Sequence, residues 1–284
     1  MSVFTNLFGA EKIGYLGQLI LSWEGLLLLS FGLIFGSFYN VCIYRVPRDC
    51  FMASVRSLCP YCGCLIPVQH NIPLLSFLFL RGRSSCCSRK ISLQYPAVEL
   101  ATACLFLLAY LIFPFLGLYQ ELYLNQFIRF AHMVGLCSVL LICSIIDMHH
   151  QIIPDRISLS MIVLAPFVAW VHPELALADS LWGVLFGGGL ICAIIWIYYL
   201  VRQREGMGLG DAKLLAFIGG WLGYQAVLPT LMVGSVLGTM IAIIGMIKTG
   251  EIDGRMEIAF GPFLSLGAAF YMMTPTDIFL YWLG

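Results

Sequence analysis

Residues 25–44 read GLLLLSFGLIFGSFYNVCIY, twenty consecutive residues without a charged side chain. A helix needs about 20 mostly apolar residues to cross the hydrocarbon core of a bilayer. Hydrophobic residues make up 61% of the chain and charged residues only 11%, against about 25% in an average soluble domain. We therefore predict an all-α integral membrane protein in contact with lipid.

Seven further runs have the same apolar character, so we predict about eight transmembrane helices. The eight runs are 25–44, 100–120, 130–146, 157–171, 180–201, 214–229, 230–247 and 258–276. The runs 214–229 and 230–247 form one continuous apolar stretch. Its length, with Pro229 near the middle, predicts two helices joined by a tight turn.

The distribution of lysine and arginine orients these helices, because cytoplasmic loops of membrane proteins are enriched in positive charge. With the N-terminus outside, segments 45–96, 147–156, 202–213 and 248–257 face the cytoplasm and hold 13 of the 15 basic residues. We therefore expect both termini on the periplasmic side. The net charge is zero, so composition offers no argument for nucleic-acid binding.

The predicted organisation has three parts. They are an N-terminal segment with the first transmembrane helix (1–44), a cytoplasmic cysteine-containing domain between the first two helices (45–96), and a transmembrane core (97–284). Cytoplasmic thiols are normally reduced, so clustered cysteines indicate metal binding rather than disulfides. The spacing suits a tetrahedral, structural zinc site, with free thiols as the alternative. Adjacent cysteines cannot easily face one ion, so we expect Cys59, Cys62 and Cys87 with either Cys64 or Cys86.

Two aspartates, Asp147 and Asp211, lie where apolar runs meet the predicted cytoplasmic face. An ionisable group beside a membrane helix is costly and therefore a functional candidate, and two that converge suggest acid–base chemistry. Asp155 is an alternative partner, although its position before the next helix predicts an N-cap. His149 and His150 invite a metal site with the nearby aspartates, but the cluster lacks a recognised ligand spacing.

Three alternating glycines, Gly206, Gly208 and Gly210, precede Asp211. Glycine permits backbone conformations closed to other residues and lets another chain approach closely. These glycines therefore suit a loop that receives a substrate backbone; a flexible loop with Asp211 as a helix N-cap is the alternative. A nucleotide-binding glycine loop is excluded, because that motif follows a β-strand and a membrane helix precedes this one.

An ordered series of motifs extends along nearly the whole chain: FGSFYNV (35–41) with Tyr44-Arg45, CPYC (59–62), NIPLLS (71–76), ISLQYPAVE (91–99), Asp147 with Pro154-Asp155, GMGLGDAK (206–213) and FGPF (260–263). In these motifs the chain resembles the type IV prepilin peptidases, bacterial inner-membrane aspartyl proteases of the GxGD class. The resemblance implies that Asp147 and Asp211 form the catalytic pair. The family's second cysteine pair would fall at 84 and 87. Position 84 is Ser84, so either Cys64 or Cys86 substitutes or the metal is absent.

The resemblance also implies an activity. Members cut the short basic leader from type IV prepilins and pseudopilins on the cytoplasmic side, and many then methylate the new N-terminus with S-adenosylmethionine. Glu99 is the candidate for serving methyl transfer, with an interfacial structural role as the alternative. A peptidase without methyltransferase activity and a proton-coupled transporter remain open. Helix dipoles favour Asp211 as the ionised base and Asp147 as its protonated partner.

Overall fold

The computed structural model describes residues 19–20, 22–50, 57–59, 61–116, 123–203, 208–249 and 259–274. Within these ranges the regular structure is helical, apart from two isolated β-bridges. The α-helices are numbered in chain order: α1 (Trp23–Arg45), α2 (Leu75–Phe79), α3 (Gln94–Ile112), α4 (Leu124–His150), α5 (Asp155–Val171), α6 (Leu177–Arg202), α7 (Leu209–Leu222), α8 (Val227–Thr249) and α9 (Gly261–Met273).

Five helices among the described residues are long and apolar enough to cross a membrane, namely α1, α3, α4, α6 and α8. Three other predicted runs correspond to α5, α7 and α9, which have 17, 14 and 13 residues. The prediction of an all-α, multi-pass membrane protein is therefore confirmed. The count of eight crossings stays a prediction.

The long apolar stretch 214–247 divides into two helices as predicted, but the position predicted for the break is wrong. Helix α7 ends at Leu222, and Gly223 follows with φ 88°, a backbone conformation that favours glycine. One 3₁₀ turn, Tyr224–Ala226, then leads into α8. Pro229 lies in the first turn of α8, where a missing N–H costs no intrahelical hydrogen bond.

Residues 8–114 form one compact unit, in which α1 packs against α3. Two glycines let these helices approach closely. A Cβ atom on Gly32 would lie 2.5 Å from the Cα of Ala103, and one on Gly36 would lie 2.6 Å from the Cα of Glu99. Small residues at such contacts are a common means of helix association in membranes. Side chains from α1, from α3 and from the cysteine-containing segment line one cavity in this unit.

The remaining helices, α4 to α9, belong to a second compact unit, 115–284. Its core surrounds α7, whose residues Leu214, Leu215, Phe217 and Ile218 are fully buried. Helix α7 packs most extensively on α6, where a Cβ atom on Gly219 would overlap the backbone of Gly183. The hydroxyl of Ser180 on α6 donates to the carbonyl of Gly220 at 2.7 Å. These contacts fix α7, and with it the position of Asp211.

Candidate functional site

Asp147 lies in the last turn of α4, which ends at a left-handed Gln151. Its side chain is buried, with 5% exposed. The Oδ2 atom accepts a hydrogen bond of 2.8 Å from the backbone N–H of Gly261, the first residue of α9. The first N–H groups of a helix have no partner within the helix and carry partial positive charge. The start of α9 therefore holds the carboxylate of Asp147 in a defined position.

Two serines support this contact. Ser144 on α4 donates to the hydroxyl of Ser265 on α9 at 2.8 Å, and Ser265 donates to the carbonyl of Gly261 at 2.9 Å. The space at Gly261 is so limited that a Cβ atom there would lie 2.7 Å from Oδ2 of Asp147. The motif that contains Gly261 was recognised in the sequence, but its role was not. No local pattern links it to a carboxylate so distant along the chain.

Asp211 is the third residue of α7 and is half-buried. Its carboxyl group lies close enough to Asp147 for the charge on Asp147 to act on it. Both sequence-predicted aspartates thus lie in the second unit, within range of electrostatic interaction. The N-cap of α7 is Gly208, and no side chain caps this helix. The alternative interpretation of Asp211 as an N-cap is therefore wrong.

The structure describes two of the three glycines before Asp211. Gly206 lies outside the described residues. Gly208 is exposed and has φ −76° and ψ 147°, an extended conformation that any residue adopts. Gly210 faces Ile153, since a Cβ atom there would lie 3.3 Å from the Cβ of Ile153. Close packing rather than an unusual conformation accounts for Gly210, and the exposed backbone at Gly208 is open to a second chain.

Asp155 has a different role from the predicted cap. Helix α5 begins at Asp155 with Pro154 as its N-cap, so the capping interpretation is wrong by one residue. The Asp155 side chain is 60% exposed and forms an ion pair of 2.5 Å with Lys213. Among the described residues, the one group placed to share a metal ion consists of cysteines, so His149 and His150 do not form such a group with these aspartates.

The cysteine group comprises Cys59, Cys62, Cys86 and Cys87, whose Sγ atoms all lie within 4.8 Å of one another. The Sγ atoms of Cys59 and Cys87 are 3.8 Å apart, and those of Cys62 and Cys86 are 3.2 Å apart. Four thiolates at about 2.3 Å from a tetrahedral zinc ion would be about 3.8 Å apart. The arrangement therefore fits a metal ion. Cys64 is exposed and does not belong to the group.

Two similar turns present these cysteines. A β-bridge joins Leu58 to Leu65 in the first turn, and another joins Arg83 to Lys90 in the second. In the first turn, the backbone N–H of Cys59 donates to the carbonyl of Cys64, and the N–H of Gly63 donates to the carbonyl of Cys59. In the second turn, the backbone N–H of Ser84 donates to the carbonyl of Arg89, and the N–H of Ser88 donates to the carbonyl of Ser84. Gly63 and Ser88 both have positive φ, 69° and 56°. Ser84 and Cys87 thus occupy the positions of Cys59 and Cys62.

The second turn has Ser84 at the position equivalent to Cys59, and Cys86 supplies the fourth thiol of the group instead. Its Sγ atom lies 3.1 Å from the hydroxyl of Ser84 and therefore occupies the space next to it. The expectation that adjacent cysteines cannot both face one ion is wrong here, because the tight turn directs Cys86 and Cys87 to the same point. Of the two candidates left open by the sequence, the structure places Cys86 in the group.

The environment of Cys59 favours a metal-binding thiolate. Burial raises the pKa of the Cys59 thiol, but hydrogen bonds from the Ser84 hydroxyl and from the backbone at Tyr61 and Cys62 outweigh it and lower the pKa to about 6. The lowered pKa favours the thiolate of Cys59, and the thiolate is the form that binds metals.

Glu99 lies on α3 in the first unit and is buried, with 8% exposed. Its Oε2 atom accepts a hydrogen bond of 2.8 Å from the N–H of Leu74. The hydroxyl of Ser37 on α1 also bonds to this carboxylate. Glu99 is therefore a fixed, buried acceptor that belongs to a different unit from the two aspartates.

A helical, multi-pass membrane protein in which two carboxyl groups converge at helix ends has the layout of a membrane-embedded aspartyl hydrolase. The chain belongs to the type IV leader peptidase family. Residues 134–243 match the model of that family, and residues 30–113 match the model of the bacterial peptidase A24 N-terminal domain. The resemblance recognised in the sequence is confirmed.

Individual relatives cover most of the chain. A prepilin leader peptidase/N-methyltransferase of Klebsiella pneumoniae is 40% identical over 223 residues, which are 75% of this chain and 91% of the relative. One of Pectobacterium carotovorum is 33% identical over 95% of this chain and 96% of its own length. A type 4 prepilin-like proteins leader peptide-processing enzyme of Escherichia coli is 36% identical over 83% and 88%. No solved structure matches the chain.

Proposed function

We propose that the protein cleaves the basic leader from type IV prepilins and pseudopilins and then methylates the new N-terminus. The observation that carries the cleavage step is that Asp147 and Asp211 lie at the ends of two helices of one unit, close enough to interact electrostatically. The names of the relatives support both steps. One aspartate activates a water molecule as a base, and its protonated partner polarises the carbonyl of the scissile bond.

The contacts around the pair favour Asp147 as the ionised base. The direct hydrogen bond from Gly261 is made to a carboxylate, and such bonds contribute about 1.5–3 kcal/mol. The dipole effect that favours an ionised Asp211 contributes only about 0.3–1 kcal/mol. Two neighbouring carboxyl groups do not both ionise readily, so Asp211 holds the shared proton. This assignment reverses the expectation from helix dipoles alone, because that expectation could not include the contact from α9.

Vibrational spectroscopy measures where this proton resides. In the resting protein, the C=O stretch of a protonated carboxylic acid should disappear in Asp211→Asn, since that variant removes the proton holder. The stretch should persist in Gly261→Ala at a changed frequency, because Asp211 keeps its partner but the environment of Asp147 changes. Loss of the band in Asp147→Asn, with retention in Asp211→Asn, would contradict the assignment.

We further propose that the pair faces the cytoplasm in an eight-pass arrangement with both termini periplasmic. The concentration of 13 of the 15 basic residues in 45–96, 147–156, 202–213 and 248–257, two of which contain the aspartates, supports this orientation. The substrate is expected to bring its backbone to the glycines before Asp211, where Gly208 is exposed. The names of the relatives, which are peptidases and methyltransferases, argue against a transporter.

The experiment that tests the function uses the purified protein with a prepilin and an S-adenosylmethionine labelled on its methyl group. We expect a shortened product that carries the label. Cleavage without label would indicate a peptidase alone, and the absence of both products would refute the proposed function.

We also propose that Cys59, Cys62, Cys86 and Cys87 hold a structural zinc ion. Four thiolates close the coordination shell and leave no position for a substrate, so the ion stabilises the two turns rather than entering the chemistry. The replacement of Cys86 by serine is expected to reduce bound zinc from about one ion per chain towards zero. Metal analysis of the purified protein measures this directly.

A matched set of variants separates a metal ligand from a structural cysteine. Cys64→Ser should keep its zinc, because this thiol lies outside the group. The double variant Cys86→Ser with Ser84→Cys should recover zinc, because Ser84 occupies the position equivalent to Cys59 in the second turn. Full zinc occupancy in Cys86→Ser alone would show that Cys86 is not a ligand.

A further inference from the structure

The first unit contains a cavity of about 400 Å³, which is within the range for sites that bind small molecules. It lies between the C-terminal half of α1, the start of α3 and the segment that carries the cysteine turns. Tyrosines at positions 44, 61 and 95 contribute aromatic surface to its lining. Every lining residue belongs to this unit, whereas the two aspartates belong to the other.

The cavity contains a buried acceptor to which none of the described residues donates a hydrogen bond. Asn40 is 4% exposed, and its amide nitrogen donates to the carbonyl of Tyr95 at 3.0 Å. Among the described residues, nothing donates a hydrogen bond to its Oδ1 atom. The Nδ1 atom of His70, another lining residue, is also buried without a partner. Buried polar groups are normally paired, so these two atoms indicate a polar ligand.

The cavity also contains a buried carboxyl group whose position is fixed. The Glu99 side chain receives the N–H of Leu74 at 2.8 Å and the hydroxyl of Ser37. Leu74 has φ 56° and ψ −48°, a conformation that side-chain-bearing residues rarely adopt. Such local strain is often found at ligand sites, and here it directs an N–H at the carboxylate. A buried carboxyl group to which no cation is bonded in the described residues suits a positively charged ligand, whose charge would favour the carboxylate form.

We propose that this cavity binds the methyl donor, a sulfonium nucleoside, with Glu99 next to the sulfonium and Asn40 bonded to the nucleoside. This inference rests on the methyl transfer of the proposed function. The cavity's tyrosines offer stacking surface for the base and for the cation. Arg45 also lines the cavity and has the charge that suits the carboxylate of the donor's amino-acid end. A lipid acyl chain could not bond to Oδ1 of Asn40 or to Nδ1 of His70, the two buried atoms that the described residues leave unpaired.

The donor supplies an activated methyl group. The lone pair of the new N-terminal amine forms a bond to the methyl carbon, and the bond from that carbon to sulfur breaks with its electron pair on sulfur. The sulfonium becomes a neutral thioether, and the methylated amine loses one proton to solvent. A carboxylate at the sulfur position therefore binds the charged donor more strongly than the neutral product, which helps the product to leave.

The test compares donor and product binding in the full-length protein by equilibrium dialysis. S-adenosylmethionine and S-adenosylhomocysteine differ in the methyl group and the charge on sulfur. Glu99→Gln should weaken binding of S-adenosylmethionine about tenfold but leave binding of S-adenosylhomocysteine nearly unchanged. Glu99→Asp should restore much of the preference for the charged donor. Asn40→Ala should weaken both ligands about equally, because both share the nucleoside.

Glu24→Gln is the matched control, since this carboxylate on α1 accepts the Tyr110 hydroxyl at 2.9 Å and does not line the cavity. It should bind both ligands as the original protein does, and thermal unfolding checks the fold of every variant. The inference would be overturned if Glu99→Gln bound S-adenosylmethionine as tightly as the original protein, or if it lost affinity for both ligands equally. Neither result would affect the proposed function, provided that the original protein cleaves and methylates prepilin. If the original protein neither methylates nor binds the donor, the methyl transfer of the proposed function fails instead.

Discussion

Asparagine at position 211 is expected to reduce prepilin cleavage by at least about 10³-fold, and asparagine at 147 should do the same. Asparagine matches the shape of aspartate but can neither hold the shared proton nor act as a base. The second carboxyl group then has no partner with which to bracket the water molecule. Cleavage of a prepilin, followed by the appearance of the shortened product, measures both effects.

The same variants should still methylate a substrate whose leader has been removed beforehand. The methyl-donor cavity and the aspartate pair lie in different units, so loss of one activity should leave the other. Asp155→Asn is the matched control, because Asp155 is exposed and paired with Lys213. It should cleave prepilin at close to the original rate. Strong cleavage by Asp211→Asn, or its loss in Asp155→Asn, would contradict the assignment of the pair.

Alanine at position 261 is expected to reduce cleavage by about 10²-fold although it adds one methyl group. A Cβ atom there would lie 2.7 Å from Oδ2 of Asp147, so the carboxylate must move. The movement lengthens the hydrogen bond from the start of α9 and displaces the base from its water molecule. Methylation of a pre-cut substrate should be unaffected, and initial rates of both reactions measure the difference.

Gly189→Ala provides the control for this change. A Cβ atom at Gly189 on α6 would meet nothing within 4 Å, so the same substitution there should leave cleavage unchanged. Alanine is also the better helix former, which favours α6. Normal cleavage by Gly261→Ala would show that the contact between Asp147 and α9 is not needed for catalysis.

Hydrophobic patterning was sufficient for much of the fold. Apolar runs of about 20 residues must form helices in a membrane, because the backbone has no other means of satisfying its hydrogen bonds there. Positions within these runs were harder to predict. The sequence predicted a break near Pro229, but a proline in the first turn of a helix does not interrupt it. The break is at Gly223, whose positive φ no sequence pattern revealed.

The candidate site was likewise predicted in part from the sequence. Asp147 and Asp211 were identified from the sequence because a carboxyl group at the edge of an apolar helix is costly. The hydrogen bond from Gly261 could not be predicted, because it joins the end of α4 to the beginning of α9. That bond changes which aspartate is expected to be ionised, since it outweighs the dipoles of the individual helices.

By itself, the sequence determined that the chain crosses a membrane, which family it belongs to and which two aspartates to examine, because composition and short motifs are local properties. Only the tertiary structure decided that Cys86 rather than Cys64 joins the cysteine group, that Gly261 supports Asp147, and that Asn40 and Glu99 line one cavity. Each of these depends on side chains from separate segments meeting in space, and such meetings follow from how helices and turns pack.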